Sequence, residues 1–273
     1  MKVYIHTDIE GVAGVTFFEN SRDPSVENAN HRQRMRRLLT NEVNAAVRAS
    51  FDAGAKEVLV NDSHSSGYNI LFEELDPRCE IILGRICSGP HWLPEFDKSY
   101  DAMVLVGMHA MAGTKCAILP HSLWEVNGGE LYLSEATMAA AIAGQHGVPT
   151  VFVSGDDKIT AEVRKKIPAI EYVAVKKGLS PFQARSLIPQ RACELIGQKV
   201  KKALGRAKEI KPFVVPGPLR LNLLDSGNHA PPFMRMMSKD VEVKNIEEGF
   251  FAVERAMPWC HFDTELPDGF EYP

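Results

Sequence analysis

The chain has 273 residues, of which 45% are hydrophobic, so it can bury a large core and is not intrinsically disordered. Its formal net charge is −4 at pH 7 and no long lysine and arginine run occurs, which argues against nucleic acid or an anionic membrane as a partner. Five scattered cysteines without a Cys-x-x-Cys pair, no leader pattern and no apolar run of membrane-spanning length together predict a cytoplasmic protein without a disulfide framework.

Short β-branched apolar segments alternate with helical segments through the first half of the chain, and the unit then repeats, which is typical of a parallel sheet covered by helices. Strands are predicted at residues 3–7, 57–61, 80–83, 102–106, 150–153 and 172–175. Helices are predicted at residues 29–53, 70–75, 135–146, 156–166 and 190–207. We therefore predict an α/β fold: a mostly parallel sheet with helices on both faces, in three layers.

The composition changes near Lys211, where the proline-rich stretch "KPFVVPGPLRL" begins. We predict two domains: residues 1–210 form an α/β domain that carries the site described next, and residues 211–273 form a small α+β domain. Two strands, at residues 220–224 and 241–245, belong to the second domain, and the last dozen residues form an irregular tail.

Polar residues follow several predicted strands at the edge where open α/β sheets bind ligands. Asp8 and Glu10 follow the first strand, two residues apart and so on one face of an extended chain; His64 follows the second strand and His109 the strand "AMVLVG". Glu135 comes directly after Ser134, the predicted N-cap of an alanine-rich helix, where the helix dipole favours an ionised carboxylate.

Two imidazoles and three carboxylates form a mixed nitrogen and oxygen set that suits zinc, or manganese and cobalt in the same geometry. Five ligands exceed what one tetrahedral zinc needs, so two metals that share a bridging carboxylate are plausible, with Asp8 the candidate bridge. Asp62 is either a turn residue or an acceptor that orients a ligand histidine.

Other histidines leave more than one interpretation open. His121, in "AILPHS", is a sixth ligand, a surface turn residue or a free imidazole that acts as acid or base. His6 shares strand parity with Asp8 and Glu10, and we interpret it as a hydrogen-bonded supporting residue. The remaining histidines are interpreted as structural or exposed: His31, His91, His146, His229 and His261.

A competing hypothesis is a magnesium-dependent phosphatase. "DIEGV" resembles the start of haloacid-dehalogenase-type enzymes, with Asp8 as a covalent phosphoryl acceptor, and Asp156 and Asp157 resemble their magnesium-binding acids. Two observations count against it: the second acid is Glu10, and three strand-end histidines would have no role. We favour Asp156 as the N-cap and Asp157 as a first-turn residue of a helix.

The ordered set "TDIEG", "VLVNDSHS", "GMHA", "PHS", "SEATMAA" and "VPTVFVSGDD" resembles the D-aminopeptidases of the DppA type, peptidase family M55, from residue 2 to about residue 210. The resemblance implies a dinuclear zinc site on Asp8, Glu10, His64, His109 and Glu135. It implies that His121 is the catalytic histidine and is not a ligand. The implied reaction is hydrolysis of the N-terminal residue, a D-amino acid, from short peptides by a metal-activated water.

The resemblance also implies a ring-stacked homo-oligomer, a decamer, whose internal chamber admits only short peptides. Three departures concern substrate choice and assembly: His6 replaces a serine, the stretch from His121 to Glu135 is shorter, and the C-terminus lacks a long closing helix. The preference for D-residues follows from the resemblance alone. An L-aminopeptidase or a related amidase would carry the same ligands.

Overall fold

The computed structural model describes residues 1–18, 23–84, 92–225 and 241–254. Its strands are β1 (Lys2–Thr7), β2 (Glu57–Asp62), β3 (Glu80–Ile82), β4 (Ala102–Met108), β5 (Leu123–Val126), β6 (Leu131–Leu133), β7 (Thr150–Asp156), β8 (Glu171–Ser180), β9 (Gln183–Ser186), β10 (Leu219–Asp225) and β11 (Val241–Val243). Its helices are α1 (Val26–Asp52), α2 (Glu135–Gln145), α3 (Asp157–Lys166), α4 (Pro189–Gly205) and α5 (Ile246–Glu254), with short 3₁₀ turns at Phe72–Glu74 and Ala207–Glu209.

A seven-stranded sheet in the order β3-β2-β1-β4-β7-β8-β9 forms the centre of the fold, and all its pairs are parallel except β8 with β9. Helices α1 and α4 pack against each other, and α2 packs against α3. The crossover from β1 to β2 and the crossover from β4 to β7 run in opposite directions, so right-handed connections place their helices on opposite faces. The predicted α/β fold is confirmed.

Strand β1 lies between β2 and β4, at the point where the strand order reverses. Thr7 pairs with Asp62 on one side and with Val106 on the other, so the carboxyl ends of the three strands are level. Every residue of β4 and of β7 is buried, which explains the unbroken apolar sequence of β4 and the apolar start of β7. Side chains that follow β1, β2 and β4 therefore meet at this switch point.

A second, antiparallel sheet has the order β11-β10-β5-β6. The predicted strands near residues 220 and 241 appear in it as β10 and β11, whereas β5 and β6 were not predicted. The sheet thus takes strands from both sides of the predicted boundary at 210/211, and the division into two domains stays a prediction. Helix α5 is joined to the first part of the chain by a ring stack of Phe250 on Trp92 at 4.3 Å. The irregular tail and the missing closing helix fall outside the described residues.

Cysteine pairing and membrane spans were also predicted from the composition. Cys79, Cys116 and Cys193 are free thiols, and Cys87 and Cys260 fall outside the described residues. Within the described ranges, no helix combines the length and the apolarity that a bilayer crossing needs.

The segment after β1 crosses the end of β4 at close range. The Asp8 amide donates to the Val106 carbonyl at 2.9 Å, and the Gly11 amide donates to the Gly107 carbonyl at 2.7 Å. A Cβ on Gly107 would lie 2.1 Å from the Asp8 carbonyl oxygen, and a Cβ on Gly11 would lie 2.0 Å from the Met108 carbonyl oxygen. Only glycine permits this crossing, and the crossing fixes where Asp8 lies.

Gly107→Ala tests the crossing. Gly107 has φ +77°, and Gly147, with φ +76° and open space around it, provides a matched control. Gly147→Ala is expected to lower the free energy of unfolding only by the strain of an alanine in the left-handed region, about 1–2 kcal/mol. Gly107→Ala should cost about 2 kcal/mol more, because the added methyl group displaces the Asp8 backbone. Urea unfolding measures both values, and equal losses would contradict the role of the close approach.

Candidate metal centre

The structure brings all six predicted site residues together at the switch point. They form two clusters, Asp8 with Glu10 and His64, and His109 with His121 and Glu135; within each, one donor atom from every residue lies within 4.8 Å of the others. The clusters adjoin, because His109 Nε2 lies 3.5 Å from Asp8 Oδ2. Asp8 therefore contacts both clusters, as a bridging ligand must.

Asp8 and Glu10 are buried where β1 gives way to the crossing segment, with 3% and 2% of their surfaces exposed. The Ile9 amide donates to Asp8 Oδ1 at 2.8 Å, which fixes the carboxylate and leaves Oδ2 directed at His109. Glu10 Oε1 lies 3.1 Å from His64 Nε2. The two carboxylates thus contact different histidines.

Each histidine of the site is oriented through its Nδ1 atom. The Nδ1 atoms of His109 and His121 bond the backbone carbonyls of Ala110 and Leu119, each at 2.9 Å. His64 Nδ1 lies 3.3 Å from the Asn69 side-chain oxygen. In all three rings Nε2 is the atom that lies next to a carboxylate, which is the usual arrangement of a metal-binding imidazole.

Asp62 supports His64 indirectly, through Asn69. Its carboxylate accepts hydrogen bonds from the Asn69 amide at 2.6 Å, the Asn69 side chain at 2.8 Å and the Ile70 amide at 2.8 Å. Asp62 therefore holds the turn and fixes Asn69, which in turn contacts His64. Asp62 thus combines the two roles considered for it, because it is a turn residue and also helps to orient His64.

Glu135 is the first residue of α2, and Ser134 is the N-cap, as predicted. Ser122 Oγ donates to Glu135 Oε1 at 2.6 Å, and His109 Nε2 lies 3.4 Å from the same oxygen. Burial alone would raise the pKa of Glu135, but the nearby charge of His109 lowers it to about 2. The carboxylate is therefore ionised at neutral pH.

Burial and the neighbouring charges shift the pKa values of the centre in opposite directions. Burial and the neighbouring Glu10 raise the pKa of Asp8 well above its usual value. Burial would also raise the pKa of Glu10, yet His64 holds it well below its usual value. Burial would lower the pKa of His109, but Glu135 and Asp8 raise it to about 10. The raised pKa of Asp8 means that a third negative charge beside Glu10 and Glu135 is unfavourable unless a further positive charge lies next to it.

Three buried side-chain atoms of the cluster that could bind a metal have no hydrogen-bond partner among the described residues: Asp8 Oδ2, Glu10 Oε2 and His109 Nε2. Burying such atoms without partners is unfavourable, so their presence at one point indicates a group that they bind. Carboxylate oxygens and imidazole nitrogens together suit zinc, manganese or cobalt. The donor set therefore fits a divalent metal.

His121 stands at the edge of the centre, on a loop with strained backbone. Leu119 and Ser122 on either side of it have φ values of +49° and +56°. The His121 ring stacks on that of His109 with centroids 3.7 Å apart, and Nε2 lies 3.8 Å from Glu135 Oε1. Burial, and then the charge of His109, lower the pKa of His121 to about 4, so its imidazole is neutral at pH 7.

His6 has the supporting position predicted for it. Its Nδ1 and Nε2 atoms lie 3.2 Å from the Asn61 side-chain nitrogen and from Ser63 Oγ, and the Trp92 ring stands nearly perpendicular to the His6 ring, with centroids 4.8 Å apart. Of the other histidines, His31 lies against Phe17 and His146 pairs with Glu247 at 3.0 Å. Three fall outside the described residues: His91, His229 and His261.

Asp156 caps α3, as predicted. Its Oδ1 accepts from the Lys158 and Ile159 amides at 2.8 and 2.9 Å, and its Oδ2 accepts from the Ile118 amide at 2.7 Å. Backbone amides therefore occupy both oxygens. This arrangement disfavours the magnesium site that the phosphatase hypothesis requires.

Lys176 of β8 is a supporting residue that the sequence reasoning missed. Its side chain is buried, and Nζ donates to the carbonyl oxygens of Glu10, Val12 and Val15, the last two at 2.8 and 2.6 Å. Burial lowers its pKa to about 8. The signal is a lysine inside an apolar strand, "YVAVK". Lys176 thus holds the segment that follows β1 and carries Asp8 and Glu10.

A buried carboxylate and imidazole centre at the switch point of a parallel sheet, beside a neutral histidine, defines a metal-dependent hydrolase. The sequence profile of the M55 peptidase family, described as D-aminopeptidase, matches residues 1–239. The chain belongs to this family and is a metallo-aminopeptidase, a hydrolase that acts on peptide bonds.

A known relative and a solved structure, both from Bacillus subtilis, are similar to the chain. A D-aminopeptidase of strain 168 is 30% identical over 226 residues, which cover 79% of this chain and 78% of the relative. The solved structure of the Zn-dependent D-aminopeptidase DppA, described as a self-compartmentalizing protease, superposes with a TM-score of 0.79 at 26% identity, covering 92% of this chain and 95% of that one.

Lys176→Met tests how the segment after β1 is held. The substitution keeps a long apolar side chain but leaves three carbonyls without their charged donor, and each lost bond costs about 1–3 kcal/mol. We expect the free energy of unfolding of the chelator-treated protein to fall by at least about 3 kcal/mol. Lys177→Met, at the exposed neighbour, is the control and should change little. Equal effects of the two substitutions in urea unfolding would rule out the proposed support.

Proposed function

We propose that the chain is a zinc-dependent D-aminopeptidase that hydrolyses the N-terminal residue, a D-amino acid, from short peptides. Membership of the M55 family and similarity to the Zn-dependent DppA support this proposal. The observation that carries it is the meeting of three buried donor atoms without hydrogen-bond partners among the described residues: Asp8 Oδ2, Glu10 Oε2 and His109 Nε2.

Five side chains would hold two zinc ions: Asp8, Glu10, His64, His109 and Glu135. Asp8 is the candidate bridge, because it contacts both clusters. When bound, the ions would lower the pKa of a water molecule and polarise the peptide carbonyl. Manganese or cobalt could take the same donors.

His121 would move protons rather than bind metal. Its neutral imidazole presents Nε2 to the centre while Nδ1 stays bonded to the Leu119 carbonyl. Nε2 can accept a proton from the attacking water and return it to the leaving amine nitrogen. In its protonated form it can also donate a hydrogen bond to the carbonyl oxygen in the transition state.

The assembly proposed for the chain is a cytoplasmic homo-oligomer, with a decamer as the expected size. The description of DppA as a self-compartmentalizing protease supports an oligomer that encloses its sites. Such an enclosure would restrict the substrates to short peptides.

His121→Ala separates proton transfer from metal binding. We expect kcat to fall by about 10²–10⁴-fold, because the general acid and base is lost, with zinc content near that of the wild type. Glu10→Gln is the comparison and should lose zinc as well as activity, since an amide cannot replace a buried ionised ligand. Metal analysis and turnover of a D-alanyl p-nitroanilide provide the readouts. Loss of zinc in His121→Ala would make His121 a sixth ligand and refute the assignment.

Metal removal distinguishes the aminopeptidase from a phosphatase. Dialysis against a chelator should abolish turnover of the D-alanyl anilide and lower the melting temperature, because the native state alone binds the metal tightly. Zinc should restore both properties and magnesium should restore neither, since the donor set contains imidazole. Restoration by magnesium together with phosphorylation of Asp8 would support the phosphatase, and turnover of L- but not D-aminoacyl anilides would support an L-aminopeptidase or amidase.

A further inference from the structure

Two phenylalanines form an aromatic wall beside His121, and we use this term for Phe18 and Phe182 only. The Phe18 ring meets the His121 ring edge-on at 83°, with centroids 5.4 Å apart. The Phe182 ring meets the Phe18 ring at 76°, with centroids 6.4 Å apart. The wall therefore starts at the centre itself and extends away from it on the side of His121.

Phe182 is exposed to water, although contact between an apolar ring and water is unfavourable. It lies in the turn between β8 and β9, and 53% of its surface is accessible. Of the polar groups that the wall adjoins, the side chains of His121 and Glu135 are 13% and 22% exposed, so the centre opens to solvent near these residues. An accessible apolar surface next to a few convergent polar groups is the usual composition of a ligand site.

The hairpin that carries Phe182 is fixed to the loop that carries His121. The Leu119 amide donates to the Pro181 carbonyl at 2.9 Å. Gly178 packs so tightly that a Cβ there would lie 2.0 Å from the Cys116 carbonyl oxygen. The hairpin thus reaches the His121 loop at two points, which holds Phe182 in place relative to the reacting atoms.

A third contact ties the hairpin to the segment that leads to Phe18. Ser186 of β9 accepts a hydrogen bond from the Gly14 amide at 2.9 Å. Phe18 itself is half-buried against the core, so its ring is also held. Both rings of the wall are therefore positioned by backbone contacts and not by each other alone.

We propose that the aromatic wall receives the side chain of the substrate's N-terminal residue and selects peptides in which that side chain is apolar and larger than methyl. The inference rests on the proposed function and deepens it, because the zinc ligands and His121 act on the peptide bond whatever the side chain. A side chain that covers Phe182 removes apolar surface from water, and each methylene so placed favours binding by about 1–3 kcal/mol.

Phe182→Ala tests the proposal with the zinc-loaded protein. Turnover of D-alanyl and D-phenylalanyl p-nitroanilides gives the ratio of their kcat/KM values, and we expect the wild type to favour the phenylalanyl substrate. The ratio should fall about tenfold in Phe182→Ala, mainly through a higher KM, since the lost contact is present in both ground and transition states. Phe182→Leu, which keeps an apolar side chain of similar reach, should retain most of the preference.

Phe72→Ala is the matched control. Phe72 is 45% exposed and lies on a segment held by α1, where Thr40 accepts from the Leu71 amide and Asn44 donates to the Glu74 carbonyl. This variant should keep both rates and their ratio. The hairpin position of Phe182 makes loss of folding in Phe182→Ala unexpected, and circular dichroism checks it.

Two results would overturn the proposal: a wild type that favours the alanyl substrate, and an unchanged ratio in Phe182→Ala. An unchanged ratio that comes with a smaller assembly in light scattering would in addition make the wall a contact between subunits. If the wild type turned over none of the D- and L-substrates, the proposed function itself would be contradicted. That outcome differs from failure of the wall proposal alone, in which the wild type still turns over substrate.

Discussion

Three carboxyl groups, those of Asp8, Glu10 and Glu135, meet in the largely buried centre of this fold, where negative charges repel one another more strongly than in water. His64 and His109 offset part of that charge, yet donor atoms of Asp8, Glu10 and His109 remain without hydrogen-bond partners in the described part of the chain. Such an arrangement is unfavourable by itself, and a bound divalent cation would offset its cost. The rest of the structure acts to keep the donors in place against this repulsion.

The segment after β1 shows how the fold does so. Close approach to β4 at Gly107 fixes one side of the segment, and three hydrogen bonds from Lys176 fix the other. Glu42 of α1 adds a further bond to the Ala13 amide at 2.9 Å. Burial raises the pKa of Glu42 to about 7, because the ionised carboxylate loses its contact with water. Contacts from β4, β8 and α1 therefore converge on a few residues that carry two of the five proposed ligands.

Most of the fold and the six site residues could be predicted from the sequence, because apolar periodicity is local and because the ends of parallel strands meet at one edge. Strands β5, β6 and β9 were missed, since they are short, partly exposed and stabilised by pairing with distant segments. Lys176 was missed for a similar reason: its three acceptors lie on a segment remote in sequence. The stacking of His121 on His109 also depends on a loop conformation that no spacing rule predicts. The ligand and proton-transfer roles stay predictions.

The central claim is that the donors at the switch point hold two zinc ions and that His121 binds neither. Anomalous diffraction at the zinc absorption edge, from crystals of the protein grown with zinc, tests it most directly. The account predicts two peaks, both in the space bounded by Asp8, Glu10, His64, His109 and Glu135, with His121 Nε2 beyond the coordination distance of about 2.0–2.1 Å. A single peak, or a zinc ion coordinated by His121, would contradict it.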